Sequence, residues 1–463
     1  IFSGSDYPGG WGTILVVGMR FGGGPYTLDD GNDDRTMRSA YIIMDVTNPE
    51  KPPKLLAEIT DEQLGFTTGD VDILTFRRPD ENGSFVSPSR NEWYLVFGSG
   101  PTGSNALKNA TSSQNAHLFY LDLQQLTTNE DNPVSLTKVD LGIANSYVGG
   151  VTAMDWNSDF QTDMVYIGVV GTGTAANSPK GALLQTAVSF NAGGFNMAEP
   201  SPLITGAAGN LPFSRAPMVV QDLGSNSYWV YAATGKLMVS EHLLPANIES
   251  NRIVGVRVNN PNENPLLPQW LTTQSVATSD LKDVTDVRVS TRVVDGVRVF
   301  DVEDDDLPDI TTPKQMEEYI RTEKRGWTRK LTNTPELSFT SPTFAGTTFT
   351  VSTFSPSISS CSPGGKSRQY WLNLFTGLPQ TETRSLFISS DGGVTKIDRN
   401  GDDEGDLSVD MGARDGIQMG SSKAGDDIIT AGSGGDLTSE DASGDLPLPA
   451  RRAWRELSTD EVN

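Results

Sequence analysis

The residues best placed to do chemistry lie in one short stretch, Asp155-Trp156-Asn157-Ser158-Asp159-Phe160-Gln161-Thr162-Asp163. Oxygen-bearing side chains occupy its first, third, fifth and ninth places, with Gln161 at the seventh. A hard divalent cation such as calcium takes roughly six to eight oxygen ligands at about 2.3–2.6 Å, and alternate residues of a tightly turned loop can point inward together. Asp155, Asp159 and Asp163 would offset the ion's charge, and the neutral Asn157 would relieve their mutual repulsion. The main-chain carbonyl of Gln161 would fill a further vertex. Calcium is therefore the expected cofactor, with an acidic surface turn as the plain alternative. Phe160 stands where such loops usually place glycine, and Tyr166 stands where an EF-hand has its bidentate glutamate, so an EF-hand is excluded.

Two other stretches show similar spacing. One is Asp301-Val-Glu303-Asp-Asp305-Asp-Leu-Pro-Asp309; the other, a possible second metal site, runs through Asp398, Asn400, Asp402, Glu404 and Asp406. In acidic sequence such spacing also arises by chance, so both rank below the first. His117 and His242 are the two histidines, and neither lies near a serine or cysteine motif, so nucleophilic catalysis is poorly supported and no catalytic residue is assigned. The glycines from Gly18 to Gly24 do not lead into a helix with Gly-Lys-Ser/Thr and read as a strand-end turn rather than a phosphate loop.

Charge narrows the partners. A formal net charge of -24 over 463 residues repels phosphate backbones and anionic lipid, which disfavours nucleic acid and electrostatic membrane docking and favours divalent cations. No apolar run approaches the roughly 20 residues that span a bilayer. The single cysteine, Cys361, can form no disulfide within the chain and no multi-cysteine metal site. The start at Ile1 lacks both an initiator methionine and a signal-peptide pattern, so a fragment or processed product is expected.

The elements that must position the acidic loop are strands. With 47 glycines, 27 prolines and apolar runs of five to eight residues, the chain reads as all-β. A paired strand signal recurs five times. Its first members are Thr13–Gly18, Trp93–Gly98, Met164–Gly168, Tyr228–Ala232 and Thr348–Ser352. The second members, some 20 residues on, are Ala40–Asp45, His117–Asp122, Leu183–Val188, Arg252–Arg257 and Arg368–Leu374. Most units return roughly every 65 to 80 residues, longer than a bare propeller blade of about 40 to 50, which implies insertions or degenerate companions. Repetition of one unit along most of the chain favours a β-propeller over a two-sheet sandwich. One domain over residues 1–463 is expected.

One helix stands out from Pro313 to Lys324, with Thr311 or Thr312 as cap and Met316, Tyr319 and Ile320 on one face. From about 399 to 446 the chain turns rich in Gly, Ser and Asp and reads as a flexible excursion, followed by Ala450–Trp454 as a returning anchor.

Several segments resemble the C-terminal propeller of the PilY family. They are Ala40-Tyr-Ile-Ile-Met-Asp45-Val-Thr-Asn-Pro49, Pro53-Lys-Leu-Leu, Asp61-Glu-Gln-Leu-Gly65-Phe, Trp93 to Gly100, and Met154 through Gly168. Gly326-Trp327, Cys361-Ser-Pro-Gly-Gly365, Tyr370 to Gly377 and Arg451-Arg-Ala-Trp454-Arg-Glu456 add to the likeness. The stretch from Met154 is similar to the family's calcium loop, carried over at Asp155, Asn157, Asp159, Gln161 and Asp163, with Asn157 and Phe160 differing from its acidic, glycine-containing form. After Gly168 the family's usual strand gives way to Val169-Val-Gly-Thr-Gly173, which is expected to open a longer loop.

What this resemblance implies is a modified seven-bladed β-propeller with loop and short helical insertions, carried at or near the tip of a type IV pilus, secreted or on the cell surface. It implies a non-enzymatic protein for pilus biogenesis, control of extension and retraction, twitching motility and adhesion. Minor pilins at the pilus tip, and a host-cell or abiotic surface, are the implied partners. Two other readings remain: a calcium-containing quinone-dependent dehydrogenase, without a convincing tryptophan-docking repeat, and a sugar-binding propeller that stacks aromatic side chains on glycans.

Overall fold

The structure, a computed structural model, describes residues 7–379 with short gaps, the longest at 259–274, together with the backbone of five strands between 405 and 441. All ten strand signals are strands, and in all five repeats the two members lie side by side and antiparallel. Ile14–Gly18 pairs with Tyr41–Asp45, Arg90–Gly98 with His117–Asp122, and Met164–Gly171 with Gly181–Asn191. Ser227–Ala233 pairs with Arg252–Val258, and Thr348–Pro356 with Gly365–Asn373. β-Branched and aromatic side chains fit this pleated, covered surface. The strand from Met164 runs on to Gly171, where a loop opening after Gly168 was expected; Val169 and Val170 are wholly buried and hold it in the ladder.

Contacts gather into two compact units. The first comprises Ile1–Pro217, Thr234–Asn251 and Trp270–Thr278, the second Met218–Ala233, Arg252–Gln269 and Ser279–Asn463. Both units are built from the same strand pair that repeats along the sequence.

In the first unit, three sheets stack in chain order. Tyr41, Ile43, Ala57 and Ile59 of the first sheet pack with Leu95, Phe97, Phe119 and Leu121 of the second. The other face of that second sheet, through Leu74, Phe76, Tyr94, Val96 and Leu118, packs with Val148, Val151, Val165 and Ile167 of the third. Alternate side chains of a strand point to opposite faces, so a sheet covered on both sides needs an unbroken apolar run such as Trp93-Tyr-Leu-Val-Phe97. A two-sheet sandwich would leave one face wet; here the middle sheet has none.

The glycines that end these strands have a packing cause. A Cβ on Gly98 would stand 2.1 Å from Val148 Cβ, and one on Gly18 would stand 2.7 Å from the Thr67 carbonyl oxygen. Each is a point where the following repeat presses against the strand.

The second unit holds a five-stranded sheet in the order Met218–Asp222, Ser227–Ala233, Arg252–Val258, Gly326–Lys330 and Lys282–Asp283. Around it Trp229, Tyr231, Trp327, Phe349 and Leu372 are wholly buried. The helix is Pro313–Glu323, opened by Thr312 and Gln315 in a reciprocal capping box, with Met316 and Ile320 buried. Within the Gly- and Asp-rich stretch, expected to be an excursion, Gln418–Ala424, Asp427–Gly432 and Leu437–Asp441 pair as a three-stranded meander. Residues 442–463, with the expected anchor, lie outside the described residues.

Candidate metal centre

The nine-residue loop closes the hairpin between Ser146–Met154 and Met164–Gly171, in the third sheet of the first unit. Met154 pairs directly with Met164, so both ends are fixed by the ladder and all five proposed ligands fall on the loop. Its tight path comes from two left-handed residues, Ser158 at φ 61° and Phe160 at φ 66°. Phe160 therefore adopts the conformation that glycine would supply, at a cost of roughly 1–2 kcal/mol. Its ring is 67% exposed and lies 5.2 Å from the Arg77 guanidinium carbon.

The loop's oxygens hold its own amides. Asp155 accepts from the Asp159 amide at 3.3 Å through Oδ1 and from the Phe160 amide at 2.8 Å through Oδ2. Asn157 Oδ1 accepts from the Asp159 amide at 2.9 Å. Asp159 accepts from the Gln161 amide at 2.9 Å and from Gln161 Nε2 at 3.1 Å. Asp163 Oδ2 accepts from the Trp156 amide at 2.8 Å, which ties the two ends together. A neighbouring strand, Asp72–Arg78, braces the outside: Thr162 donates its amide to the Thr75 carbonyl at 2.8 Å, and Gln161 Oε1 accepts from the Arg77 amide at 3.3 Å. Sequence reasoning missed Thr75 and Arg77, which lie more than eighty residues upstream; the strand pattern of Asp72–Arg78 was their only signal.

Electrostatically the loop is uncompensated. No lysine or arginine forms an ion pair with Asp155, Asp159 or Asp163 among the described residues. Burial pushes the Asp155 carboxyl up, with the Asp159 charge adding to the effect and the Phe160 amide opposing it. Asp163 is pushed up to about 6, first by burial and then by the charges of Asp159 and Asp155, against the hydrogen bond from Trp156. The side chains are turned onto amides rather than onto one point: among the described residues no three His, Cys, Asp or Glu groups are close enough to hold a metal ion. The donor set itself is all oxygen with three carboxylates, which suits a hard cation.

The weaker candidates fare differently. Asp301 pairs with Arg292, Glu303 with Arg288 at 3.2 Å, and Asp304 with Lys282 at 2.6 Å. Asp301, Glu303 and Asp304 already have their cations. Asp398, Asn400, Asp402 and Glu404 lie outside the described residues, and Asp406 falls in a short strand paired with Ser290. His117 is buried, with Nδ1 2.8 Å from the Asn115 carbonyl oxygen. His242 is buried and its pKa is lowered to about 4, by burial first and by the Lys236 charge second.

One solved structure, the C-terminal domain of PilY1 from Pseudomonas aeruginosa, superposes on this chain with a TM-score of 0.55, covering 93% of this chain and 81% of that one at 16% identity. The chain has the fold of that PilY1 domain. It is a β-propeller fold, as the strand repetition and the stacked sheets anticipated. The NanB sialidase of Streptococcus pneumoniae aligns at a TM-score of 0.20 and 12% identity over 78% of this chain and 57% of its own, which carries no argument. No family model matches the sequence, and no curated protein matches it significantly.

Proposed function

We propose that the chain is a calcium-binding, non-enzymatic component of the type IV pilus system, placed outside the cell at or near the pilus tip. The observation that carries this reading is the likeness to the PilY1 C-terminal domain over 93% of the chain, with the acidic loop at a hairpin end of that fold. Asp155, Asn157, Asp159 and Asp163 would hold the ion with the carbonyl of Gln161. Calcium supplies positive charge where half-buried carboxylates repel one another, and their release from self-repulsion is the driving force for binding. Occupancy stiffens the loop and with it the exposed Phe160, which changes what that surface offers to minor pilins, to a host cell or to an abiotic surface. No helix among the described residues is long and apolar enough to cross a membrane.

The test is genetic. Cells lacking the chain should lose surface pili and twitching motility; wild-type chain should restore both, and Asp155→Asn with Asp159→Asn should restore pili but not their normal extension and retraction. Normal piliation and motility without the chain would contradict the assignment.

A further inference from the structure

Among the described residues, the first sheet has no counterpart of a strand that the other four repeats possess. In those repeats the first member is flanked on both sides: Arg90–Gly98 also pairs with Asp72–Arg78, Met164–Gly171 with Ser146–Met154, Ser227–Ala233 with Met218–Asp222, and Thr348–Pro356 with Leu337–Ser338 and Thr343–Ala345. Ile14–Gly18 pairs with Tyr41–Asp45 alone and is the sheet's edge among the described residues.

Which groups face that edge follows from the register. The Val46 amide donates to Thr13 and the Met19 amide donates to Ala40, so Thr13, Leu15, Val17 and Met19 turn their backbone toward the paired strand. Ile14, Val16 and Gly18 turn theirs outward. Beyond them Arg20 bridges to Thr67, which closes the far end of the edge. Side chains beside it are apolar and wet: Trp11 is 60% exposed, Leu15 44%, Val17 40% and Met19 40%. Leu55, in the third strand and opposite Met44, extends the patch at 58%. Proteins normally blunt such an edge with charge, proline or a cover.

We propose that this edge accepts an extended strand from another polypeptide, with apolar side chains at alternate positions and basic or neutral flanks. The backbone of Ile14, Val16 and Gly18 would supply the ladder, and Leu15 and Val17 the specificity. Charge selects the occupant. A second copy would bring together two chains of net charge -24, whereas a basic segment is attracted and a neutral one is not repelled. The chain's own first residues, Ile1-Phe-Ser-Gly-Ser-Asp6, are few and include Gly4 and Asp6, which disfavour strands. This inference does not rest on calcium binding.

The experiment uses the full chain and a synthetic peptide of alternating valine and threonine with lysines at both ends, read by amide hydrogen exchange. The peptide should slow exchange across residues 11–20 by roughly tenfold. Val16→Pro removes an outward N–H without taking a bond from the ladder to Tyr41–Asp45, and it should abolish the protection. Leu15→Lys with Val17→Lys, which leaves every backbone group in place, should also abolish it. An absence of protection at any peptide concentration would overturn the proposal. So would protection already present without peptide and lost on deleting residues 1–6 or residues 442–463, which would make the occupant one of the chain's own segments. Protection that grows with protein concentration alongside a dimer in sedimentation would overturn it in favour of a second copy.

Discussion

The loop 155–163 and the stretch 301–309, which begins in the strand Val297–Glu303, carry nearly the same acidic spacing and have opposite electrostatics. In the second, the fold brings Lys282, Arg288 and Arg292 to the carboxylates, and the Lys282–Asp304 pair is buried, at 8% and 5% exposure. In the first, carboxylates face only amides and one another, and burial raises the pKa of Asp155 and Asp163. Spacing alone therefore does not distinguish a metal loop from an ion-pair cluster. What separates them is whether the strands around the loop bring a protein cation, and a loop that lacks one is open to a metal.

The comparison can be broken most forcefully at its paired end. Lys282→Met leaves the Asp304 carboxylate buried without its cation and should cost about 3–5 kcal/mol in urea denaturation, with or without calcium. At the other end, calcium at about a hundred times its dissociation constant should add about 2.7 kcal/mol to the wild-type chain. Asp155→Asn, which keeps one acceptor oxygen but removes the charge and the second acceptor, should erase that gain and cost the metal-free chain about 1 kcal/mol.

A pH series sharpens the contrast further. A carboxyl whose folded pKa lies above its unfolded value binds more protons when folded, so its penalty is absent at low pH and grows as pH rises. For Asp163, with a folded value of about 6 against 3.8, the metal-free chain should lose stability as pH rises from 3.8 to about 6. After allowance for partial exposure the loss should be about 1 kcal/mol, and saturating calcium should remove it. The smallest effect is expected from Phe160→Gly, which relieves the left-handed strain but forfeits the contact with Arg77. A net gain below about 1 kcal/mol in the metal-free chain is the expected outcome by thermal melting.

Much of the fold was legible because its signals are local. The five strand pairs follow from runs of β-branched and aromatic residues, and the helix follows from Thr312, Pro313 and Gln315. The strands that precede the first members were not seen. Ser146–Met154 carries Gly149 and Gly150, and Asp72–Arg78 ends in two arginines, so neither reads as a plain apolar run. The acidic loop was legible as a set of donors; its bracing by Thr75 and Arg77 was not, because those residues come from a separate strand. The fate of 301–309 was hidden for the same reason, since Lys282, Arg288 and Arg292 are ordinary strand residues until the sheet brings them alongside.

The central claim is that the loop 155–163 compensates its charge with a metal and the stretch 301–309 does not. Isothermal titration of calcium into the chelator-stripped chain measures this directly. One site should saturate, vanish in Asp155→Asn with Asp159→Asn, and persist unchanged in Asp301→Asn with Glu303→Gln. Absence of any heat of binding, or a site that survives the first pair of substitutions and is lost with the second, would contradict the account.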